Sequence, residues 1–365
     1  MIPYAIMIFV SIVVPYVIYS GKNYSYKYSK DEVCEKRNSW TIRLFFLIFF
    51  VLLMLRDIAI GTDLKEYQNI FNRCIYLDFR DLPNLRWEIG YTTYNKVVAI
   101  ISKEYRIFLI ITAAMILFPI YKLYIREKAY SVLLIALFIN MPCFVMVFSG
   151  LRQSIAISIG IFVFMAIEKK KHCLSILLII LAMMFHSSAL VLVLLYPAFL
   201  LKIKTKHLLF LIPIMIVFYI YRIQIFTYAL KYLPERYTQF YGEVQLSNSY
   251  GMLFLFLLFI SFSFVFLDEA EMTTRDFFLR NILLIATIFQ FFVPIHGLIQ
   301  RCSYYFLIFV PVSLLSVVRA PKKWLKEFSN LAVVVMVVFF ITYFFYNAMY
   351  STNNLLNVFP YKFME

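Results

Sequence analysis

Long apolar runs separated by short polar segments follow one another along the whole chain. Most of them approach the ~17–25 apolar residues that an α-helix needs to cross a bilayer. Because the runs are continuous and do not alternate with polar residues, they indicate spanning helices rather than a transmembrane β-barrel. The pattern predicts about twelve helices, at approximately residues 2–20, 40–56, 105–122, 129–148, 152–168, 173–186, 188–201, 207–222, 250–267, 277–294, 300–318 and 329–347.

Two stretches depart from simple spans. Residues 87–102, WEIGYTTYNKVVAIIS, have helical periodicity but too short an apolar run to cross, so we expect a re-entrant or interfacial helix near 88–101 on the outer side. Residues 175–200 are interrupted by His186, Ser187 and Ser188. We expect two short helices that meet there, near the outer surface. A break inside a membrane is tolerated where protein or a water-filled cavity covers the freed backbone groups.

Composition and charge assign an orientation. Of the residues, 63% are hydrophobic and only 15% are charged, against roughly 25% charged in soluble domains. The net charge of +15 comes largely from basic clusters in short loops, which the positive-inside rule places in the cytoplasm, so nucleic acid is not an expected partner. The clusters occupy 22–37, 122–128, 169–171, 202–206, 275–280 and 319–326. We therefore expect one membrane domain over 1–365, with larger outer loops at 57–104 and 223–249.

Under this topology the unusual polar residues converge on the outer boundary of the membrane. They are Arg56, Asp63, Tyr67, Glu88, Tyr91, Arg152, Gln153, His186, His296, Arg301, Tyr304 and Tyr305. Each alone has an ordinary explanation, such as arginine snorkelling, histidine in helix packing, capping by a carboxylate, or tyrosine in the aromatic belt. Three arginines, His186 and two carboxylates on one side of a bundle are a more specific signal.

This group of residues suits phosphate chemistry. A guanidinium is a rigid donor fork that stays charged, and it binds phosphate or diphosphate well. A nearby carboxylate or histidine can take a proton from a hydroxyl group. The sequence has no HExxH, P-loop or GxSxG motif, and the five cysteines have no metal-ligand spacing, so we expect neither a metal nor a cofactor. Between 105 and 222 the acidic residues are Glu127 and Glu168, both near predicted cytoplasmic ends, which disfavours a proton-driven transporter.

A set of short motifs follows in order along residues 40–310. It consists of Arg56, GTD at 61–63, Tyr67 and Phe71, ExGY at 88–91, RQ at 152–153 with Ala156, HSSAL at 186–190, and Arg301 with YYF at 304–306. This ordered set resembles the EpsG family, which is counted among the Wzy-like polymerases of exopolysaccharide and O-antigen. Leu64 departs from the aromatic residue expected after GTD, and the last helix and tail carry no motif.

The resemblance implies a membrane glycosyltransferase of the bacterial inner membrane, with its active site facing the periplasm or exterior. It would transfer a glycan from polyprenyl diphosphate to a sugar hydroxyl of a lipid-linked repeat unit. A chain-length regulator protein is a candidate partner, beside the lipid-linked donor and acceptor and the bilayer. We assign Arg152, Arg301 and Arg56 to the diphosphate, and His186, Asp63 and Glu88 to catalysis, with His186 first. We assign contacts with the substrate to Gln153, Tyr67, Tyr91, Tyr304, Tyr305 and His296.

Two other classes of function stay open on the sequence. A flippase for lipid-linked glycans should have polar groups along a path to both faces, whereas here they cluster on one face. The other class is a polysaccharide ligase or an acyltransferase. A ligase uses the same donor chemistry and differs only in its acceptor. An acyltransferase should place its catalytic histidine and acid in one motif, which the sequence lacks.

Overall fold

The computed structural model describes residues 1–20, 29–231, 250–323, 327–350 and 355–364. In these ranges the regular structure is helical, and β-pairing is limited to isolated bridges at Arg56–Phe363 and Leu267–Pro321, so the predicted all-α class is confirmed. Most of the predicted outer loop 223–249 lies outside the described residues. The α-helices are α1 (Ile2–Ser20), α2 (Lys30–Leu55), α3 (Leu64–Tyr76), α4 (Ile89–Ile101), α5 (Tyr105–Tyr124), α6 (Ser131–Asn140), α7 (Pro142–Ser149), α8 (Leu151–Glu168), α9 (His172–Phe185), α10 (Leu195–Leu200), α11 (Leu208–Ile220), α12 (Arg222–Leu230), α13 (Gly251–Val265), α14 (Thr274–Phe292), α15 (Gly297–Leu307), α16 (Val310–Arg319) and α17 (Ser329–Tyr350).

Helix length and composition identify a membrane protein. Five described helices, α1, α2, α5, α8 and α17, are long and apolar enough to cross a bilayer. Three further pairs are bent, by 63° between α6 and α7, by 115° between Ser187–Leu200 and Thr205–Ile220, and by 43° between α15 and α16. If each bent pair is one span, the described residues contain up to eight spans, fewer than the twelve expected. The difference arises because the predicted spans 188–201 and 207–222 form one bent pair, α9 and α13 are short apolar helices, and α14 carries charged residues in its first turns.

The chain divides into two compact units, which we describe separately. The first contains Met1–Leu190 and Asn330–Glu365, and the second contains Val191–Ser329. The core of the first unit is rich in aromatic rings from α2, α6 and α7. Phe49 stacks on Phe144 with ring centroids 5.0 Å apart, and Phe138 meets Phe144 edge to face at 5.8 Å. Aromatic pairs of this kind add roughly 0.5–1.5 kcal/mol beyond their burial, and here they fix α7 against α2.

The segment between α2 and α5 is folded into two helices. Amphipathic α3 buries Leu64, Tyr67, Ile70, Phe71 and Cys74, a spacing that places all five on one face. Helix α4 corresponds to the short helix expected near 88–101, and it begins directly after Glu88. Helix α9 ends at Phe185, and a 3-10 helix over Ser187–Leu194 follows, so the break at His186 lies where the sequence placed it.

The C-terminal segment returns to the end of α2. The amide of Met364 donates to the carbonyl of Leu55 at 3.0 Å, and the amide of Asp57 donates to the carbonyl of Lys362 at 3.0 Å. The hydroxyl of Tyr361 donates to the carbonyl of Leu52 at 2.6 Å. A segment without any recognised motif therefore packs beside Arg56, one of the predicted site residues.

In the second unit, α14 begins with a capping box between Thr273 and Asp276. Arg280 of α14 donates to the carboxylate of Glu269 at 3.0 Å and to the carbonyl of Ile203. Asn281 donates to the carbonyls of Ala198 and Leu201. These side chains connect α14 to the ends of α10 and α13 inside the unit.

Candidate functional site

Arg152 lies in the first turn of α8, directly after the break that separates α7 from α8. Gly150 forms the junction, with φ −84° and ψ 65°, and its amide donates to the carbonyl of Met146 at 2.8 Å. The sequence SGLR thus ends one helix and starts the next within two residues. This geometry fixes Arg152 at the end of two packed helices rather than on a free loop.

A turn from the α2–α3 segment is fixed against this break. Gly61 has φ +97°, a conformation that other residues rarely adopt, and a Cβ at this position would lie 2.5 Å from the carbonyl oxygen of Phe148. The hydroxyls of Thr62 and Ser149 lie 2.9 Å apart, and the amide of Asp63 donates to the Ser149 hydroxyl at 3.3 Å. Thr62 also donates to the carboxylate of Asp63 at 2.8 Å. Asp63 is therefore held beside the start of α8.

A second close approach brings Glu88 to the break after α9. A Cβ on Gly90 would lie 2.7 Å from the Cβ and from the carbonyl oxygen of Met184, so α4 and α9 meet with no space for a larger residue. The amide of Ser187 donates to Oε1 of Glu88 at 3.3 Å. Gly61 thus allows the 61–63 turn to meet the break between α7 and α8, and Gly90 allows α4 to meet α9.

Arg152 and Glu88 form the central ion pair of this site. Nη1 of Arg152 donates to Oε2 of Glu88, and both side chains are 18% exposed. The guanidinium carbon lies 3.9 Å from the ring centre of Trp87, which is cation–π distance. Nε of Arg152 is buried without a hydrogen-bond partner among the described residues. The cation is therefore only partly satisfied by the protein.

Burial and charge act in opposite directions on the Glu88 carboxyl. Burial by itself would raise its pKa, but the Arg152 cation and the Ser187 amide, among others, more than offset this, and the pKa of Glu88 is lowered from its ordinary value. Glu88 is therefore ionised while it is paired with Arg152. If the Arg152 charge moved away from Glu88, burial would still act on the carboxyl, and the pKa of Glu88 would rise.

Three aromatic rings form a wall beside the ion pair. Tyr67 lies 6.1 Å from Trp87 and 5.6 Å from Tyr91, and Trp87 lies 6.3 Å from Tyr91, measured between ring centroids. The Arg152 guanidinium is also 5.9 Å from the Tyr91 ring centre. Burial raises the pKa of Tyr67 to about 12, so its hydroxyl is neutral at physiological pH. Tyr67 is 3% and Tyr91 0% exposed, whereas Trp87 is partly exposed, so Trp87 is the ring of this wall that a sugar can contact beside the cation.

His186 lies at the end of α9, within the turn that contacts Glu88. Its Nδ1 is 2.6 Å from the Ser188 hydroxyl and accepts from the Ser188 amide at 3.4 Å. Because an amide can only donate, this contact assigns the proton of a neutral ring to Nε2. His186 thereby orients the Ser187–Ser188 turn, whose first amide binds Glu88.

Arg56 lies apart from the ion pair, behind α7. It is 1% exposed, and its Nη1 donates to the carbonyl of Val147 at 3.4 Å. Its guanidinium carbon lies 5.9 Å from the Phe148 ring centre. Arg56 thus contacts the two residues that precede Ser149. Gln153, next to Arg152 on α8, is 2% exposed.

The remaining predicted residues belong to the second unit. His296 caps α15 by accepting from the amide of Leu298 at 3.0 Å, and its ring stacks on Phe226 with centroids 5.6 Å apart. Arg301 is exposed on α15, whereas Tyr304 and Tyr305 are buried. Apart from Arg56 and Gln153, the structure therefore divides the predicted set into two groups. Arg152, Glu88, Tyr67, Tyr91, Asp63 and His186 lie close together in the first unit, and His296, Arg301, Tyr304 and Tyr305 lie on α15 or at its start.

A model of the EpsG family matches residues 39–363. The chain belongs to the EpsG family. This is a Wzy-like polymerase family, as the ordered motifs indicated. The match extends through α17 and the C-terminal segment, where the motifs gave no signal. Comparisons with curated proteins and with solved structures yield no match.

In this EpsG-family protein, sequence reasoning missed Trp87 as the ring that faces Arg152. The signal was its position directly before Glu88 in the WEIGY segment. Ser149 was not among the predicted site residues, because its hydrogen bonds to Thr62 and Asp63 form only in the folded chain. Among the described residues no cluster of three or more His, Cys, Asp or Glu side chains could hold a metal ion.

Proposed function

We propose that this EpsG-family protein is a polysaccharide polymerase on the outer face of the bacterial inner membrane. It transfers a growing glycan from polyprenyl diphosphate to a sugar hydroxyl of the next lipid-linked repeat unit. The observation that carries this proposal is the incompletely satisfied Arg152, paired with Glu88 and stacked on Trp87 beside two tyrosines. This set combines an anion ligand, a proton acceptor and, in Trp87, a partly exposed ring for a sugar in one unit.

Glu88 occupies the position that a phosphate oxygen takes in the complex. Both are anions that accept from the guanidinium of Arg152, and a diphosphate carries more negative charge than a carboxylate. Binding of the donor therefore displaces Glu88 from Arg152. During transfer the bond between the sugar C1 and the phosphate oxygen breaks, and the charge on the leaving diphosphate grows. Arg152 stabilises this growing charge, so its effect is larger in the transition state than in the bound substrate.

Displacement also prepares Glu88 to act as the general base. Without the Arg152 cation, its burial raises the pKa of the carboxyl and makes it a stronger proton acceptor. Glu88 takes the proton of the acceptor hydroxyl as the oxygen of that hydroxyl bonds to C1, and the polyprenyl diphosphate leaves. His186, the first candidate by sequence, already receives two contacts from Ser188 at Nδ1, and in this proposal it positions the turn that holds Glu88.

The other candidate residues take supporting roles. Asp63, fixed against Ser149, orients the acceptor sugar through its carboxylate. Arg56 holds α7 in place through the Val147 carbonyl and so positions the start of α8. Arg301 remains a proposed diphosphate ligand, and Gln153, His296, Tyr304 and Tyr305 remain proposed substrate contacts.

The test is the surface glycan of cells that express Arg152→Ala in place of the native protein. The matched control is Arg80→Ala, because Arg80 is an exposed arginine of the 57–104 segment, which also contains Glu88. We expect single repeat units without a polymer ladder for Arg152→Ala, and a normal ladder for Arg80→Ala, at equal protein levels in the membrane. A normal ladder in Arg152→Ala removes the diphosphate role. Loss of all surface glycan points to a flippase or a ligase instead.

A further inference from the structure

Helices α11, α13 and α14 of the second unit enclose an apolar groove with a volume of about 450 Å³. This volume lies within the ~300–1,000 Å³ typical of ligand pockets. Its walls include Leu208, Met215, Tyr219, Leu257, Phe264 and Phe291. The groove contains none of the residues that we assign to the Arg152 site.

The groove exists because α11 packs loosely. Its lining residues recur at positions 208, 211, 212, 215, 216 and 219, which is one face of a helix. None of the thirteen residues of α11 is buried among the described residues. From Leu208 to Tyr219 this face is about 16 Å long at the ~1.5 Å rise of an α-helix. An apolar face of this length, left unfilled by protein, suits a hydrocarbon chain.

The two ends of the groove differ in charge. At the Phe264 end, the guanidinium carbon of Arg280 lies 4.3 Å from the Phe264 ring centre, but Arg280 is neutralised by Glu269. At the Tyr219 end, the guanidinium carbon of Arg222 lies 4.3 Å from the Tyr219 ring centre, and its Nη1 donates to the Tyr219 carbonyl at 2.7 Å.

The charge of Arg222 is not compensated within the described part of the chain. Its Nε is buried without a hydrogen-bond partner, and no described carboxylate forms an ion pair with it. A ligand with one apolar chain and an anionic head group therefore binds with its head group at Arg222, because the arginine at the other end of the groove is already neutralised. The basic cluster at 202–206 precedes α11, so the positive-inside rule places the Arg222 end on the outer side.

We propose that this groove binds the isoprenoid chain of a polyprenyl-diphosphate-linked substrate, with the diphosphate at Arg222. The inference rests on the proposed function, in which two lipid-linked substrates must be held at once. Arg152 binds the diphosphate of one, and the groove with Arg222 retains the other. A diphosphate satisfies an uncompensated guanidinium, whereas a zwitterionic phospholipid brings its own counter-charge.

The test uses the full-length protein in phosphatidylcholine nanodiscs and a diazirine-bearing farnesyl diphosphate, with the labelled peptides mapped by mass spectrometry. Met215→Trp fills the groove from its lining face. Ile214→Trp is the matched control, because Ile214 precedes Met215 on α11, is 52% exposed and does not line the groove. Arg222→Gln removes the charge. We expect labelling of 208–220 and 251–265 to fall about tenfold in Met215→Trp and Arg222→Gln, and to stay unchanged in Ile214→Trp.

Two results overturn the inference. One is equal labelling in Met215→Trp and Ile214→Trp. The other is stronger labelling by a diazirine phosphatidylglycerol that excess farnesyl diphosphate does not displace, which assigns the groove to bilayer lipid. Neither result changes the glycan phenotype expected for Arg152→Ala. The groove proposal and the polymerase proposal can therefore be refuted separately.

Discussion

Substitution of Gly61 by alanine perturbs the contact that fixes Asp63 beside Arg152. The new Cβ would lie 2.5 Å from the Phe148 carbonyl oxygen and 3.1 Å from the Phe148 carbonyl carbon. These are backbone atoms at the end of α7, so they cannot rotate away as a flexible side chain can. The φ of +97° adds strain, because side-chain-bearing residues rarely adopt it.

The expected cost follows from these two effects. A non-glycine residue in such a backbone region costs about 1–3 kcal/mol. Overpacking against rigid neighbours costs about 1–3 kcal/mol. Their sum is about 2–6 kcal/mol if neither relaxes, and a shift of the 61–63 turn away from Ser149 lowers it toward about 2 kcal/mol. That shift would also separate Asp63 from the start of α8, so polymer formation should fall even where the protein remains folded.

The assay is equilibrium unfolding of the purified protein in mixed micelles by titration with dodecyl sulfate, together with the polymer ladder from cells. Gly251→Ala is the matched control, because no atom of the described residues lies within 4 Å of a Cβ at that position. We expect it to change stability by less than about 0.5 kcal/mol, as surface substitutions usually do. A Gly61→Ala protein as stable and as active as the control would refute the packing that we describe at Phe148 and Ser149.

Three further predictions concern the Arg152 site. The Glu88→Gln protein should bind a prenyl diphosphate several-fold more tightly in a direct binding assay, because the side chain that competes with the diphosphate for Arg152 has lost its charge. Polymer formation should be lost in the same variant. Weaker binding would show that Glu88 does not compete for the cation. The stabilisation from ionised Glu88 is present above about pH 4.3 and is lost as the pH falls through the lowered pKa of Glu88. Acid should therefore lower the free energy of unfolding of the native protein more than that of the Glu88→Gln protein. An identical dependence of unfolding on pH in the two proteins would contradict the ion pair. Trp87→Ala should raise the KM for the lipid-linked repeat unit at least tenfold, whereas Trp40→Ala, another partly exposed tryptophan beside an arginine, should leave it unchanged; equal effects would mean that Trp87 has no special role.

Much of the helical framework could be predicted from the apolar pattern. The α1, α5, α8 and α17 helices lie within a few residues of their predicted positions because their hydrophobic runs end in polar or charged residues. The bends at Met141 and between α15 and α16 were not predicted because the runs stay mostly apolar through them, although Asn140 and Pro142 flank the first bend and Pro311 follows the second. Helix α3 was not predicted because only one of its faces is apolar, so its sequence contains no continuous apolar run.

The site was predicted as a list of residues rather than as an arrangement. Arg152 and Glu88 were both selected as polar residues at the outer boundary, but their pairing spans 64 positions of the chain. It depends on the close approaches at Gly61 and Gly90, which are properties of the packed helices. Arg56 was selected by its type and position as a diphosphate ligand, and that assignment stays a prediction. The structure adds contacts of Arg56 with the Val147 carbonyl and the Phe148 ring of α7, which the sequence did not indicate.

The most direct test of the account is polymerisation by the purified protein from a synthetic prenyl-diphosphate-linked repeat unit. We predict that each elongation step by the native protein and by Arg80→Ala releases one prenyl diphosphate, and that Arg152→Ala yields neither product nor release. Elongation by Arg152→Ala at the native rate would contradict the central role of Arg152.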